Sequence, residues 1–248
     1  MKTDATKVTP KADRKGGTAS LFADAVRGAF ASFVTDTAFP CLGAKAALNA
    51  GSYVLLTYEE LASPNVVHSL HADLVAFTKS EIARTSEYAS FIAVFRNPRP
   101  IVERTFERLL WSQLQQLHDL DREKSEWDPN VSSDPDDPHF SFSIGGHAYY
   151  VIGLHEDSSR LARRFPWPAM VFNPHAQFEK LRSDGKWRRM QETIRARDIA
   201  LQGSVNPMLS DFGKASEARQ YSGRQVEEGW HPEFQAGAGT SGGCPFAH

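Results

Sequence analysis

Between residues 20 and 35 the apolar positions Phe22, Val26, Ala29, Phe30 and Phe33 recur at three- and four-residue steps. That is the spacing of an amphipathic helix, with Ser20 placed to cap its start and Phe39-Pro40 to stop it. Residues 53–57 and 91–95 are short apolar runs that predict buried strands, the second ended by Asn97-Pro98. Helical spacing returns over 66–82 through Val67, Leu70, Leu74 and Phe77. It is longest over 101–120, where Phe106, Leu110, Leu114 and Leu117 share a face. After a proline- and aspartate-rich loop at 128–138, strand patterns at 140–144 and 148–154 flank Gly145-Gly146, which predicts a hairpin. A third strand at 169–172 runs into Asn173-Pro174, read as an N-cap with proline at the first helical position, and so a helix from 174. A last helix is expected over 187–201.

Helices on either side of a cluster of strands give an α+β fold, a single domain with a central, mainly antiparallel sheet flanked by helices. Strict βαβ alternation, GxGxxG and the P-loop are all absent, which argues against a nucleotide-binding fold. Residues 1–19 lack apolar periodicity and read as a disordered arm. Residues 235–248 are glycine-rich and read as a loose tail, leaving 20–234 as the folded domain.

The chain has 248 residues, 41% hydrophobic and 23% charged, enough for one full core. With 28 basic against 30 acidic residues, it has no field to hold nucleic acid or an anionic membrane. No uncharged run approaches the roughly 18 residues of a bilayer span, and the first 17 residues carry no secretory h-region. Cys41 and Cys244 make no disulfide framework and no zinc spacing. The expectation is a cytoplasmic protein with neither nucleic-acid nor membrane partner.

Nine histidines are the most chemically suggestive feature. His155 ends a strand, where a rigid element presents a side chain, and is followed by Arg160, Arg163 and Arg164. On a helix Arg160 and Arg164 would share a face and could clamp two carboxylates. A capping histidine beside a solvated basic turn is the competing reading. His175, at the second position of the helix expected from 174, should stay neutral and able to bind a metal, or else bond locally at the surface. His68 and His71 are three apart and could share a metal, but no third ligand is placed, and a pair of ordinary helix residues is favoured. Cys41 is either a low-pKa thiol at a helix start or a buried structural one. The polar stretch from Arg195 to Arg224 suits a wall that binds a polar ligand, and solvated loops share its composition.

Three runs then become recognisable. They are Gly153-Leu154-His155 with Ser158 to Phe165, Val171-Phe172-Asn173-Pro174-His175 with Gln177 to Arg182, and Ile194 to Arg224 through Asn206-Pro207 and Tyr221-Ser222-Gly223-Arg224. With Phe39-Pro40-Cys41 they resemble the YqcI/YcgG family over roughly residues 38–226. Members of known activity are haem-dependent N-hydroxylases of guanidine groups, acting on arginine or an arginine-derived metabolite. The resemblance implies haem b, dioxygen and an electron donor such as a reductase, with a small guanidine or amino-acid substrate. A haem-binding sensor or carrier without turnover is the alternative.

Carried onto this chain, His175 is the first choice for the axial iron ligand, with His155 and Cys244 as alternatives. Arg160, Arg163 and Arg164 would meet the propionates. Glu217 and Asp211 are candidates for the carboxylate that positions the guanidinium by bidentate pairing. Arg224 or Arg197 would take a substrate α-carboxylate. The family tends to end in a compact Trp-x-Cys-Pro-Phe, whereas here His231 to Gly243 separate Trp230 from Cys244.

Overall fold

The structure is a computed structural model, and it describes residues 17–237. Most of the expected arm, all but the opening of the tail, and Cys244 lie outside the described residues. The chain runs α1 (Gly17–Thr35), α2 (Leu42–Ala50), β1 (Tyr53–Glu60), α3 (Pro64–Thr78), α4 (Glu81–Thr85), β2 (Ser90–Asn97) and α5 (Glu103–Asp121). It continues through β3 (Phe142–Ile144), β4 (His147–Leu154), β5 (Ala169–Pro174), α6 (His175–Ser183), α7 (Trp187–Gln202) and α8 (Ala218–Tyr221). The five strands form one sheet in the order β1-β2-β5-β4-β3. Only β1 and β2 pair in parallel, and every other pairing is antiparallel. The α+β architecture with a mainly antiparallel sheet is therefore observed.

Side chains alternate across the sheet with period two. Phe91, Ala93, Phe95, Met170, Phe172 and Val151 point to one face, packed under α3 and α5 in the larger core. Ile92, Val94, Ala169 and Leu154 point to the other, in a smaller cluster completed by Val26, Phe30 and Val34 of α1. Register aligns these layers: Ile92 and Ile152 both pair with Val171. Gly145 and Gly146 have φ of 62° and 77°, as a two-residue turn with right-handed strand twist requires.

Four boundaries differ from the sequence reading. Helix α1 starts at Gly17, so residues 17–19 belong to it and Ser20 lies inside. The apolar stripe marks where the helix packs, not where it begins. The helix expected over 66–82 is broken after Thr78, because Ser80 caps α4, its Oγ accepting from the Ala83 N–H at 3.2 Å. The expected strand at 140–144 narrows to β3, which starts at Phe142. Asn173 is no N-cap. It is the penultimate residue of β5, its Oδ1 accepting from Ser90 Oγ at 2.7 Å and its Nδ2 donating to the Tyr150 carbonyl at 3.3 Å. Those two neighbouring strands claim the side chain that a helix start would have used.

Candidate functional site

The smaller core does not fill its face of the sheet. A cavity of about 290 Å³ lies there, floored by Ile92, Tyr150, Ile152, Val171 and Asn173. One wall comes from α1 and α2, through Phe30, Phe33, Cys41 and Ala44. The other comes from α6, α7 and the segment after α7, through His175, Phe178, Met190, Arg195, Asp211 and Glu217. The lining is mostly apolar, with polar groups at a few points, the usual make-up of a small-molecule site.

His175 is the first residue of α6, placed by β5 running directly into the helix. It is buried, and its Nε2 has no hydrogen-bond partner. Its ring lies 4.6 Å from that of Phe212. Burial lowers its pKa below the ordinary histidine value, with the nearby Glu179 carboxylate opposing and Arg182 adding to the effect. The imidazole is thus held neutral, with its Nε2 buried and unsatisfied in the cavity wall.

His155 is fully buried but does not line the cavity. It stacks on Phe106 at 4.5 Å, and among the described residues neither ring nitrogen has a well-aligned partner, the Ile101 backbone being the polar group beside it. His68 and His71 share no site, in keeping with the favoured reading of two ordinary helix residues. His71 Nε2 lies 2.7 Å from Asp121 Oδ1 in the interior, while His68 is exposed. Among the described residues no group of three or more His, Cys, Asp or Glu side chains could hold a metal ion.

The arginines separate. Arg160 and Arg164 flank a single 3-10 turn, Leu161–Arg163, and share no helical face. Arg160 is buried against Asp198 at 2.6 Å and also donates to Ser204. Arg164 is exposed, donating to the Ser158 carbonyl. Arg163 alone of the three lines the cavity. Its guanidinium donates to the carbonyls of Gly153, Tyr221 and Gln220 at 3.0–3.1 Å, and no carboxylate neutralises it by direct pairing. A buried cation held only by dipoles leaves a positive field for an anion in the cavity.

Arg224 is locked between Glu107 at 2.7 Å and Glu227 at 3.0 Å, and Arg197 is half-buried on α7. Neither lines the cavity. Arg182 and Arg195 do: Arg195 opens the polar stretch read as a ligand-binding wall, whereas sequence reasoning gave Arg182 no role. Arg182 lies over the rings of Trp187 and Phe212. Its place in the second recognisable run was the one signal that could have drawn attention to it.

The two carboxyl groups differ sharply. Glu217 is buried, and its Oε1 accepts from Ser141 Oγ at 2.8 Å and Tyr221 OH at 2.6 Å. Burial pushes its pKa up to about 8, against those two hydrogen bonds. Around neutrality it is therefore mostly a carboxylic acid, and with Oε1 occupied by two donors the proton belongs on Oε2. Asp211 is half-exposed, held ionised by the Gln191 amide at 2.6 Å, with Lys214 and Arg195 nearby. Cys41 caps α2, its Sγ accepting from the Ala44 N–H at 3.4 Å, and burial raises its thiol pKa. The thiol is therefore no low-pKa nucleophile but a structural cap, half-buried at the cavity edge. Tyr150, whose OH donates to Gln220 Oε1 at 2.7 Å, was read only as part of a strand and proves to be the floor's main polar group.

No helix among the described residues is long and apolar enough to cross a membrane. Comparison with curated proteins and with solved structures returns no match. Comparison with protein families matches residues 30–235, which take in every strand, both walls of the cavity and all three recognisable runs. The chain belongs to the YqcI/YcgG family.

Proposed function

We propose that this protein is a haem-dependent N-hydroxylase acting on the guanidine group of L-arginine or an arginine-derived metabolite. The observation that carries the reading is His175, a buried neutral imidazole whose Nε2 has no protein partner in the wall of a largely apolar cavity. A lone imidazole is what haem asks of a protein, because the porphyrin brings the equatorial ligands. The other groups fit as well. Apolar walls suit the macrocycle, and the Arg163 guanidinium, with Arg182 and Arg195, suits its propionates.

Haem b bound at His175 supplies activation of dioxygen, with electrons from an external donor, and the remaining work falls to this chain. Phe30, Phe33, Ile92 and Ile152 exclude water from the cavity. Asp211, ionised on the more open side, attracts a guanidinium. Glu217, deeper, has only Oε2 free, which as a carboxylate would accept a single charge-assisted hydrogen bond from the guanidinium. Tyr150 and Asn173 bound the floor with fixed hydrogen-bonding groups.

The test is an absorption spectrum of the haem-loaded protein, oxidised, reduced and carbonylated, followed by an arginine assay. An imidazole-type carbonyl spectrum is expected, abolished in His175→Ala, with an N-hydroxyguanidine product. Full haem with an unchanged spectrum in His175→Ala would remove the ligand assignment. Stable haem without product would assign the protein to haem carriage or sensing.

A further inference from the structure

Four electron-rich rings connect the cavity to the surface. Tyr150 forms part of the cavity floor, and its ring centroid is 6.0 Å from that of Tyr221. Tyr221 stacks on Trp111 at 5.6 Å with planes 18° apart. Trp111 is 6.1 Å from Trp230, which is half-buried and faces solvent with its other side. The rings packed around this line are phenylalanines, among them Phe140 and Phe234.

The two tyrosine hydroxyls are used by the fold, Tyr150 OH on Gln220 Oε1 and Tyr221 OH on Glu217 Oε1, but no hydrogen bond among the described residues accounts for the indole of Trp111. Trp111 Nε1 is buried with no acceptor, a cost that a phenyl ring would not carry. Tyrosine and tryptophan differ from phenylalanine in one further respect: they can lose an electron to a strong biological oxidant and regain it.

We propose that Tyr150, Tyr221, Trp111 and Trp230 form an electron-transfer chain that delivers single electrons from the protein surface to an oxidant in the cavity. The identity of that oxidant rests on the reading above, as haem with dioxygen or peroxide. The oxidant takes one electron from Tyr150. Its OH bonds to an amide oxygen, Gln220 Oε1, which is too weak a base to keep the proton, so the vacancy moves on to Tyr221. Tyr221 gives its phenolic proton to Glu217 Oε1 at 2.6 Å while Oε2 releases one to the cavity, so the carboxyl group ends as it began. Trp111 then refills Tyr221, and the proton returns by the same route. With no acceptor at Nε1, oxidised Trp111 keeps its proton, stays strongly oxidising and draws an electron from Trp230. An external one-electron donor, such as ascorbate or a reduced flavin, restores Trp230. The net change is one electron moved inward, with no proton gained or lost by the chain.

The test needs no haem. Azide radicals generated by pulse radiolysis oxidise accessible tryptophan in the full-length protein, and transient absorption follows the radical. The expected result is a first-order interconversion of tryptophan and tyrosine phenoxyl radicals, independent of protein concentration, which reads electron exchange along the line in either direction. That phase should be lost in Tyr221→Phe and in Trp230→Phe. It should persist in Trp167→Phe, whose ring packs on Phe22 and Phe165 away from the line. Conversion at wild-type rate and yield in both line variants would overturn the proposal. Should Tyr221→Phe fail to fold, the half-buried Trp230→Phe decides alone. A protein that takes up no haem would remove the named oxidant and leave this radical result standing.

Discussion

Glu217 concentrates the residue-scale physics of the cavity. Its unfolded-state carboxyl loses a proton near 4.5, while the folded one keeps it to about 8. Between those values the folded state holds the extra proton, so this group's contribution to stability falls as pH rises, by about 3 kcal/mol at neutrality. Glu217→Gln keeps an acceptor for Ser141 and Tyr221 and cannot ionise. Its melting temperature should therefore match that of wild type at pH 4 and exceed it increasingly towards pH 8. Parallel melting curves across that range would mean Glu217 is already ionised in the fold. Arg163 is the converse case: Arg163→Ala strands three buried carbonyls and should cost about 3 kcal/mol in urea unfolding, whereas Arg164→Ala should cost little. The sequence could place both residues in a recognisable run but could not rank them. Burial and partners decide, and the partners come from distant elements. Glu107 takes Arg224 and Asp198 takes Arg160 across the fold, which no local spacing reveals.

At the scale of elements, Gly153 shows how a motif glycine can serve packing. A Cβ built there would lie 2.5 Å from Phe106 Cε1 and 2.8 Å from Leu110 Cδ1, so α5 crosses β4 with no room for a methyl group. Gly153→Ala should destabilise the protein by about 1–3 kcal/mol through overpacking. Phe106→Leu should recover part of that loss in the double variant, read by urea unfolding. Equal destabilisation in the single and double variants would point to backbone freedom instead. The same elements show what the pattern could reveal. The apolar runs of β2 and β4 and the stripe of α5 were legible because burial, on both faces of β2 and on one face of α5, writes itself into hydrophobicity. The parallel pairing of β1 with β2 was not, since a short apolar run looks alike in either direction. Helix α2 was missed because it spans only nine residues, LGAKAALNA, too few small side chains for a repeating stripe to stand out.

For the whole molecule, the sheet divides a dense side from an open one. Trp111, Phe106, Leu70 and Leu74 are fully buried on the α3 and α5 side, whereas α7 has a single buried residue, Asp198. Helix α7 is held chiefly by polar ties, Asp198 to Arg160 and Gln191 to Asp211, over a cavity rather than a core. Local opening should follow that asymmetry. In hydrogen exchange of the protein without added ligand, amides of α3 and α5 should be the slowest and those of α6 and α7 markedly faster. Added haemin should then join the two walls across the cavity. Protection should rise in α1, α6 and α7 and barely change in α3. The global gain should be about 2.7 kcal/mol when free ligand is a hundredfold above its dissociation constant. In His175→Ala the gain should vanish while the ligand-free exchange pattern persists, because the ring's Nε2 makes no hydrogen bond among the described residues. Haemin-induced protection confined to any other surface would move the ligand out of this cavity and leave the unsatisfied Nε2 of His175 without a purpose.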